Sequence, residues 1–365
     1  MQGQATCSQG AMEGGGSYNR HSRIPAGGGA LAVPFLEQAV QRIVLNGSAH
    51  PFVIADYGSS EGKNSLAPLR AAIRGLRARF GPDRPIHVVH IDQPANDFNS
   101  LFAVLHRDPE RYAADDANVF PSAIGRSFYE AVFPPEHVDL GWSSYAAVWL
   151  SRAPALIPGH FIMTGSTGEA RSAFDRQGAE DWKRFLSLRA AELRPGSWLV
   201  VALPALNDEG VAGLEPLFDQ ANAAIAEMVA EGSLRAEERS RMVLPVYARR
   251  RAQLLEPFDS AGHFEGLVVE QCELGEVPDA IWAEYQRSGE AQAFAKHYAA
   301  FIRAVFVPTL ATALADPASR NHFADQLETK LRQRLAEHPQ PFHSFVQTMV
   351  LAKQDRNANL SERAR

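Results

Sequence analysis

Residues 51–64, PFVIADYGSSEGKN, constrain this chain more than any other stretch. A short apolar run from Phe52 to Ala55 leads into Asp56, Gly58, two serines, Gly62 and Asn64. A helical pattern follows at once, with Leu66, Leu69, Ile73, Leu76 and Phe80 at spacings of three and four. The order predicts a buried strand, a tight glycine turn and a helix start. In an open α/β sheet such a turn lies at the carboxyl ends of the strands, where nucleotide-like ligands bind. Gly58 and Gly62 allow a sharp bend and a close approach of backbone to ligand. Asp56 offers an acceptor to a polar ligand group. The glycines stand four apart, so the G-x-G-x-x-G fingerprint is not met, and no G-K-[ST] closes a P-loop. An ordinary strand–helix turn without a ligand is the competing reading of this stretch alone.

The rest of the chain extends the pattern. A second strand over residues 86–91 ends in Asp92, within HIDQPANDFNSLF. An acid there is where doubly wound nucleotide folds hold a ribose; a turn or helix N-cap acid is the alternative. Residues 119–134 hold a short strand, a glycine and an aromatic cluster. Residues 138–150, VDLGWSSYAAVWL, give a strand and then a turn crowded with Trp142, Tyr145 and Trp149. These three aromatics fit either the core or the wall of a pocket. Residues 198–203 read as a fifth strand, and 267–270 and 345–351 as late strands. Helical stripes cover 35–45, 179–191, 210–258, 279–306 and 320–336. Gly27 to Gly29 read as a flexible joint, and residues 17–25 as a basic loop. Strands alternating with helices, with helical insertions late in the chain, predict an α/β sheet carrying a helical cap. The expected core is 17–209 with 262–275 and 340–355. The expected cap is 210–261 and 276–339, and residues 1–16 read as a disordered tail.

Composition narrows the function classes. A net charge of −6 over 365 residues argues against a general nucleic-acid binder. Two cysteines, Cys7 and Cys272, build neither a disulfide framework nor a cysteine zinc site, and fit a reducing, cytoplasmic setting. No run of about 18 apolar residues predicts a membrane span. No Ser–His–Asp hydrolase signature is read, and no H-E-x-x-H metal motif is present. His87 and His90 fall on opposite sides of the predicted strand and read as structural. What remains is four loops, 56–64, 92–99, 125–129 and 142–149, converging on one sheet edge. Their acids and hydroxyls suit a ribose and an amino-acid moiety, and their aromatics suit an adenine ring beside an apolar substrate.

Five ordered motifs then resemble the SABATH family of S-adenosylmethionine-dependent carboxyl methyltransferases. SYNRHS at 17–22 is similar to S-Y-A-x-N-S, and ADYGSSEGKNSL at 55–66 to A-D-L-G-C-S-S-G-x-N-T-L. DQPANDF at 92–98 is similar to D-L-P-x-N-D-F, and RSFYEAVFP at 126–134 to G-S-F-Y-x-R-L-F-P. SSYAAVWLSRAP at 143–154 is similar to S-S-Y-S-L-x-W-L-S-x-x-P.

The resemblance implies a Rossmann-like class I methyltransferase sheet with a mostly helical cap. It implies S-adenosylmethionine as cofactor, S-adenosylhomocysteine as product and a homodimer, with no nucleic-acid or membrane partner. The substrate would be a free carboxylic acid, a small aromatic or fatty acid, converted to its methyl ester. Ser22, Asp56, Gly58 and Asn64 would serve the methionine part of the cofactor. Asp92 would hold the ribose, Gln93 would lie beside the adenine, and Ser127 and Phe128 would complete that site. Tyr18 would lie at the mouth, Tyr145 and Trp142 would border the substrate pocket, and Trp149 would donate its indole N–H to the carboxylate.

The family's second carboxylate donor, a glutamine, is replaced here by Pro25, so His21, Arg23 or Arg20 is expected to stand in. MVLPVY at 242–247 keeps only part of a stretch linked to a divalent ion in some members, so no metal is expected. A ring-nitrogen methyltransferase, or a partner protein that binds the cofactor without catalysis, are the alternatives.

Overall fold

The computed structural model describes residues 10–45 and 50–354; the expected tail over residues 1–9, with Cys7, lies outside them. In chain order the elements are α1 (Ser17–His21), α2 (Arg23–Arg42), β1 (Phe52–Tyr57), α3 (Leu66–Phe80), β2 (Ile86–Asp92), α4 (Phe98–Arg107), β3 (Val119–Gly125), β4 (Val138–Ser144), α5 (Gly168–Glu192) and β5 (Leu193–Pro204). Then follow α6 (Glu215–Ala230), α7 (Ala236–Ser240), α8 (Arg251–Leu255), β6 (His263–Phe264), β7 (Leu267–Glu276), α9 (Ala280–Ser288), α10 (Ala291–Ala311), α11 (Pro317–Glu337) and β8 (Phe345–Lys353).

The strands form one sheet in the order β3-β2-β1-β4-β5-β8-β7-β6. The first five are parallel, and the last three run antiparallel at the far edge. The order turns at β1, which pairs with β2 on one side and β4 on the other. That switch point opens a crevice beyond the carboxyl ends of the strands. Every residue of β1 is buried, because helices cover both sheet faces and leave no solvated side. On one face Leu36 and Val40 of α2 and Leu69, Ile73 and Leu76 of α3 pack on Ile54 and Val88. On the other, Trp182, Phe185 and Leu186 of α5 pack on Val53, Tyr57 and Leu199.

The cap is a second apolar cluster. Leu217, Phe218 and Ile225 of α6 meet Phe294, Phe301 and Val305 of α10 and Phe323, Leu327, Leu331 and Leu335 of α11. Val148 and Trp149 belong to the same cluster, so the cap's core runs down into the loop after β4. The short α8 lies elsewhere: Leu254 joins the cluster under the sheet, and Trp182 Nε1 donates to its carbonyl at 2.9 Å. Among the described residues no helix is long and apolar enough to cross a membrane.

Three local expectations change. Gly27 to Gly29 are not a joint but lie inside the 20-residue helix α2. A Cβ on Gly28 would overlap the Tyr145 hydroxyl, and one on Gly29 would come within 3.0 Å of Ser144 Oγ. Close packing of the β4 loop therefore outweighs the roughly 1 kcal/mol that glycine costs a helix. Residues 17–25 are not a loop but form α1 and the start of α2. Residues 10–16, read from composition as tail, pack against α10. Ala11 N–H donates to Thr309 Oγ1 at 3.0 Å, Glu13 N–H to the Ala304 carbonyl at 2.9 Å, and Arg303 pairs with Glu13 at 3.0 Å. The partner of Ala11 stands 298 positions along the chain, out of reach of a composition argument.

Candidate active site

The turn that ends β1 is held in an unusual backbone. Gly58, Ser60 and Gly62 all have positive φ, at 87°, 48° and 87°. The amides of Gly58 and Ser59 donate to the Ile91 carbonyl at 2.8 and 3.1 Å. Ser60 N–H donates to Asp92 Oδ2 and Gln93 N–H to Asp92 Oδ1, both at 2.7 Å. Asn96 Nδ2 donates to the Ser60 carbonyl at 2.8 Å. The loops after β1 and β2 are thus bound to each other through the Asp92 carboxyl group. Each of its oxygens takes one amide and keeps lone-pair capacity for a ligand. Burial raises Asp92 to about 6, against the pull of the two amides; the nearby Asp56 adds to the rise.

These loops floor a cleft roofed by α6 and α10 and closed at one side by residues 10–14 and by Tyr18, Ile24 and Pro25. Its two ends differ. Glu61, Asp92, Gln93, Asn96 and Asp97 crowd one end, and Trp149, Phe218, Phe301, Val305 and Phe306 the other. The Trp149 ring lies 5.9 Å from Phe306, which is 5.2 Å from Phe218 and 5.7 Å from Phe301, centroid to centroid. No Lys, Arg or His is among the described residues that line the cleft.

Of the residues expected from sequence, Tyr18, Gly58, Asp92, Gln93, Phe128, Tyr145 and Trp149 line this cleft. Ser22 and Asn64 stand behind its wall: Asn64 Nδ2 donates to Ser22 Oγ at 3.0 Å, and the same amide bonds the Tyr18 phenol. Together they hold α1 against the β1 loop. Burial keeps the Tyr18 phenol protonated far above its ordinary range. Ser127 is also set back, its hydroxyl accepting the Tyr129 amide at 3.2 Å behind Phe128.

Asp56 lies beneath the turn rather than on the cleft wall. Its Oδ2 is 2.8 Å from His90 Nδ1, and His90 Nε2 is 2.8 Å from the Tyr112 hydroxyl. A carboxylate only accepts, so Nδ1 carries the hydrogen toward Asp56. This fully partnered chain braces the turn from below.

Trp142 is a different matter. It is 1% exposed and sits in the core between the sheet and α2 and α3, because the pleat of β4 turns it to that face. It does not border the cleft. Nor does His21, which burial and the adjacent Arg20 shift downward. Arg20 donates to the Gly15 carbonyl at 3.1 Å, and Arg23 meets exposed Glu284 at 3.5 Å. None of the three basic residues expected to replace the missing glutamine reaches the cleft.

Sequence reasoning passed over Glu61. Its carboxylate accepts the amides of Gly16 at 2.7 Å and Asn19 at 2.9 Å, fixing α1 over the turn, while burial raises its pKa against those amides. Nothing local distinguishes it from a solvated turn acid. The aromatics of α6 and α10 were legible as a stripe, but not as facing a ligand. Among the described residues no group of three His, Cys, Asp or Glu could hold a metal ion.

The residues present fit a cationic, ribose-bearing ligand. Ser60 lines the cleft, and its hydroxyl, like that of Ser59, is buried without a partner among the described residues. Asp92 supplies acceptors, and Phe128 supplies a flat apolar face.

Sheet order, switch point and site together define a class I methyltransferase with a helical cap. A solved loganic acid methyltransferase with SAH superposes with a TM-score of 0.76 over 95% of this chain and 99% of that one, at 22% identity. The family model described as SAM dependent carboxyl methyltransferase matches residues 4–354, and the chain belongs to that family. Indole-3-acetate O-methyltransferase 1 of Arabidopsis thaliana is 31% identical over 70% of this chain and 73% of its own. Salicylate carboxymethyltransferase of Clarkia breweri is 25% identical over 87% and 88%. The chain is an S-adenosylmethionine-dependent carboxyl methyltransferase.

Proposed function

We propose that the cleft methylates the free carboxylate of a small aromatic or fatty acid, giving its methyl ester and S-adenosylhomocysteine. The carrying observation is the division of one cleft into an acid-rich end and an aromatic end without cations. The first end suits a sulfonium and a ribose. The second suits an apolar body whose carboxylate is held by neutral donors. The relatives named for indole-3-acetate and salicylate support acids of this size.

In this reading Asp92 takes the ribose hydroxyls, Gln93 and Phe128 flank the adenine, and Gly58 and Ser60 let the turn close on the methionine part. Tyr18 shuts the mouth from α1. Trp149 Nε1–H donates to the substrate carboxylate, and Phe218, Phe301 and Phe306 enclose its body. When bound, S-adenosylmethionine would supply an electrophilic methyl on a positively charged sulfur, its transfer to the carboxylate oxygen leaving a neutral thioether and an ester. No proton moves, because a carboxylic acid with a pKa near ~4 is already ionised at neutral pH. The residues need only align oxygen with methyl and exclude water, which is worth on the order of 7–11 kcal/mol. No general base is therefore needed.

A labelled-methyl assay over benzoate, salicylate, indole-3-acetate and octanoate tests this. Base-labile ester is the expected product. Base-stable product would instead indicate a ring nitrogen, and cofactor binding without turnover a partner protein. A homodimer in the cytoplasm completes the proposal, on family resemblance and on the cysteine count; light scattering of the purified protein checks the former and cell fractionation the latter.

A further inference from the structure

The acidic residues of the cleft do not all stand at one end. Glu13, Glu61, Asp92 and Asp97 come from residues 10–14 and from the ends of β1 and β2. Glu215 lines the same cleft from the first turn of α6. Sheet order separates it from the others. Asp92 ends β2, whereas Glu215 follows β5, and Pro204 of β5 and Phe345 of β8 line the cleft with it. A Cβ on Gly213 would come within 2.6 Å of the His343 carbonyl, which fixes this segment against the entry to β8. In the sheet β1 and β4 lie between β2 and β5, and at about 4.8 Å per strand this puts β5 roughly 14 Å from β2. Within α6, Glu215 and Phe218 stand three residues apart and share a face. The Phe218 ring is 5.2 Å from Phe306 in the aromatic end. Glu215 is thus an acid at the apolar end of the cleft.

Its side chain is held in place but not used up. One oxygen accepts the Ala212 amide at 2.7 Å and the other the Gly213 amide at 2.5 Å. A carboxylate offers about four lone-pair sites, so each oxygen can accept again. The residue is half-buried, which leaves it open to a ligand, and no Lys, Arg or His among the described residues lines the cleft to balance its charge. A second negative group on the substrate would meet this carboxylate across a mostly apolar space, where like charges repel strongly. A hydroxyl or N–H would meet an acceptor already oriented by two amides.

We propose that Glu215 is a specificity-determining residue of the acid pocket. It excludes dicarboxylic acids and favours a monocarboxylic acid that carries a hydroxyl or N–H donor at the end away from the reacting carboxylate. The inference rests on the acid reading above and narrows its substrate class.

The test compares acids that differ only at the far end: a fatty acid, its ω-hydroxy and ω-amino derivatives and the α,ω-diacid, at six, eight and ten carbons. Methyl transfer is measured as kcat/KM with the unmodified protein and with Glu215→Gln, whose amide matches the carboxylate in shape and keeps an acceptor for the backbone. At the length that reaches Glu215, the ω-hydroxy acid should exceed the plain acid about three- to tenfold, and the diacid should fall about 100-fold or more below it. In Glu215→Gln the diacid should recover about tenfold or more relative to the plain acid. The plain acid and S-adenosylhomocysteine affinity should change less than about threefold. A diacid penalty of the same size in both proteins would come from desolvation alone and would overturn the proposal. The ω-amino acid gives a check that needs no variant. Its charged end is also costly to bury but has the opposite sign, so the unmodified protein should turn it over about tenfold or more faster than the diacid. Equal rates, or the reverse order, would overturn the proposal while leaving the acid reading intact. If the unmodified protein methylates none of these acids, nor benzoate, salicylate or indole-3-acetate, the acid reading itself fails.

Discussion

The two ends of the cleft are made by different means. The proposed cofactor end is mostly backbone. Three positive-φ residues within five positions, and one carboxyl group holding the amides of Ser60 and Gln93, shape it from two adjacent parallel strands. The proposed substrate end is side chains. Pro25 comes from α2, Tyr145 and Trp149 from beyond β4, and Phe218 and Phe306 from cap helices. A site made of backbone is stiff and tolerates changes elsewhere, whereas one made of side chains from four elements shifts with each of them. One fold can thereby hold a constant methyl donor while its acid pocket is rebuilt.

Changes that touch only one end test this contrast. The largest effect is expected from Asp92→Ala, which removes the proposed ribose acceptor and leaves two amides unpaired. S-adenosylhomocysteine affinity, measured by calorimetry, should fall roughly 100-fold. A fall below threefold would dissolve the distinction between the ends. Trp149→Phe should raise the KM of the acid about tenfold or more by loss of one donor to a charged oxygen, with cofactor affinity held within twofold. Full turnover at unchanged KM would remove Trp149 from the carboxylate grip.

The pH response belongs to the cofactor end. Asp92 is raised to about 6 in the free protein, and ribose hydroxyls donate more strongly to its charged form. Cofactor affinity should therefore hold above that pH and weaken below it, by up to about tenfold one unit lower. The sign for stability is opposite. A raised carboxyl pKa favours the fold below the ordinary carboxyl value and loses that contribution as pH rises through about 6. Titrations of affinity and of melting temperature between pH 4 and 8 would show the two trends crossing; parallel trends would exclude Asp92 as the group responsible. The smallest effect is expected from Phe306→Ala. It opens the aromatic box, so the ratio of kcat/KM for longer over shorter fatty acids should rise severalfold, with cofactor binding unchanged. An unchanged ratio would mean that α10 does not set the length limit.

Much of the cofactor end was legible beforehand because its signals are local. Glycine spacing gave the turn, the apolar run gave β1, and an acid after the second strand gave Asp92. Asp56 shows the limit of such reading. It stands in the same motif, but its partner is His90 on the neighbouring strand, a pairing that depends on register. Glu61 and the segment over residues 10–16 were missed for a related reason. Their partners, Gly16 and Asn19 for the one and α10 for the other, lie at distances along the chain that no window spans.

By itself, then, the sequence determined the alternation of strands and helices, the turn at 58–62, the position of Asp92 and a family of ordered motifs. All of these rest on period, spacing and residue type. Only the tertiary structure decided which aromatics of WSSYAAVW face a ligand. Trp142 lies within β4, where the pleat sends it into the core. Tyr145 follows the strand's last residue, and its left-handed backbone ends the alternation. From there the chain turns Tyr145 and Trp149 into the cleft, against helices that arrive from both ends of the sequence.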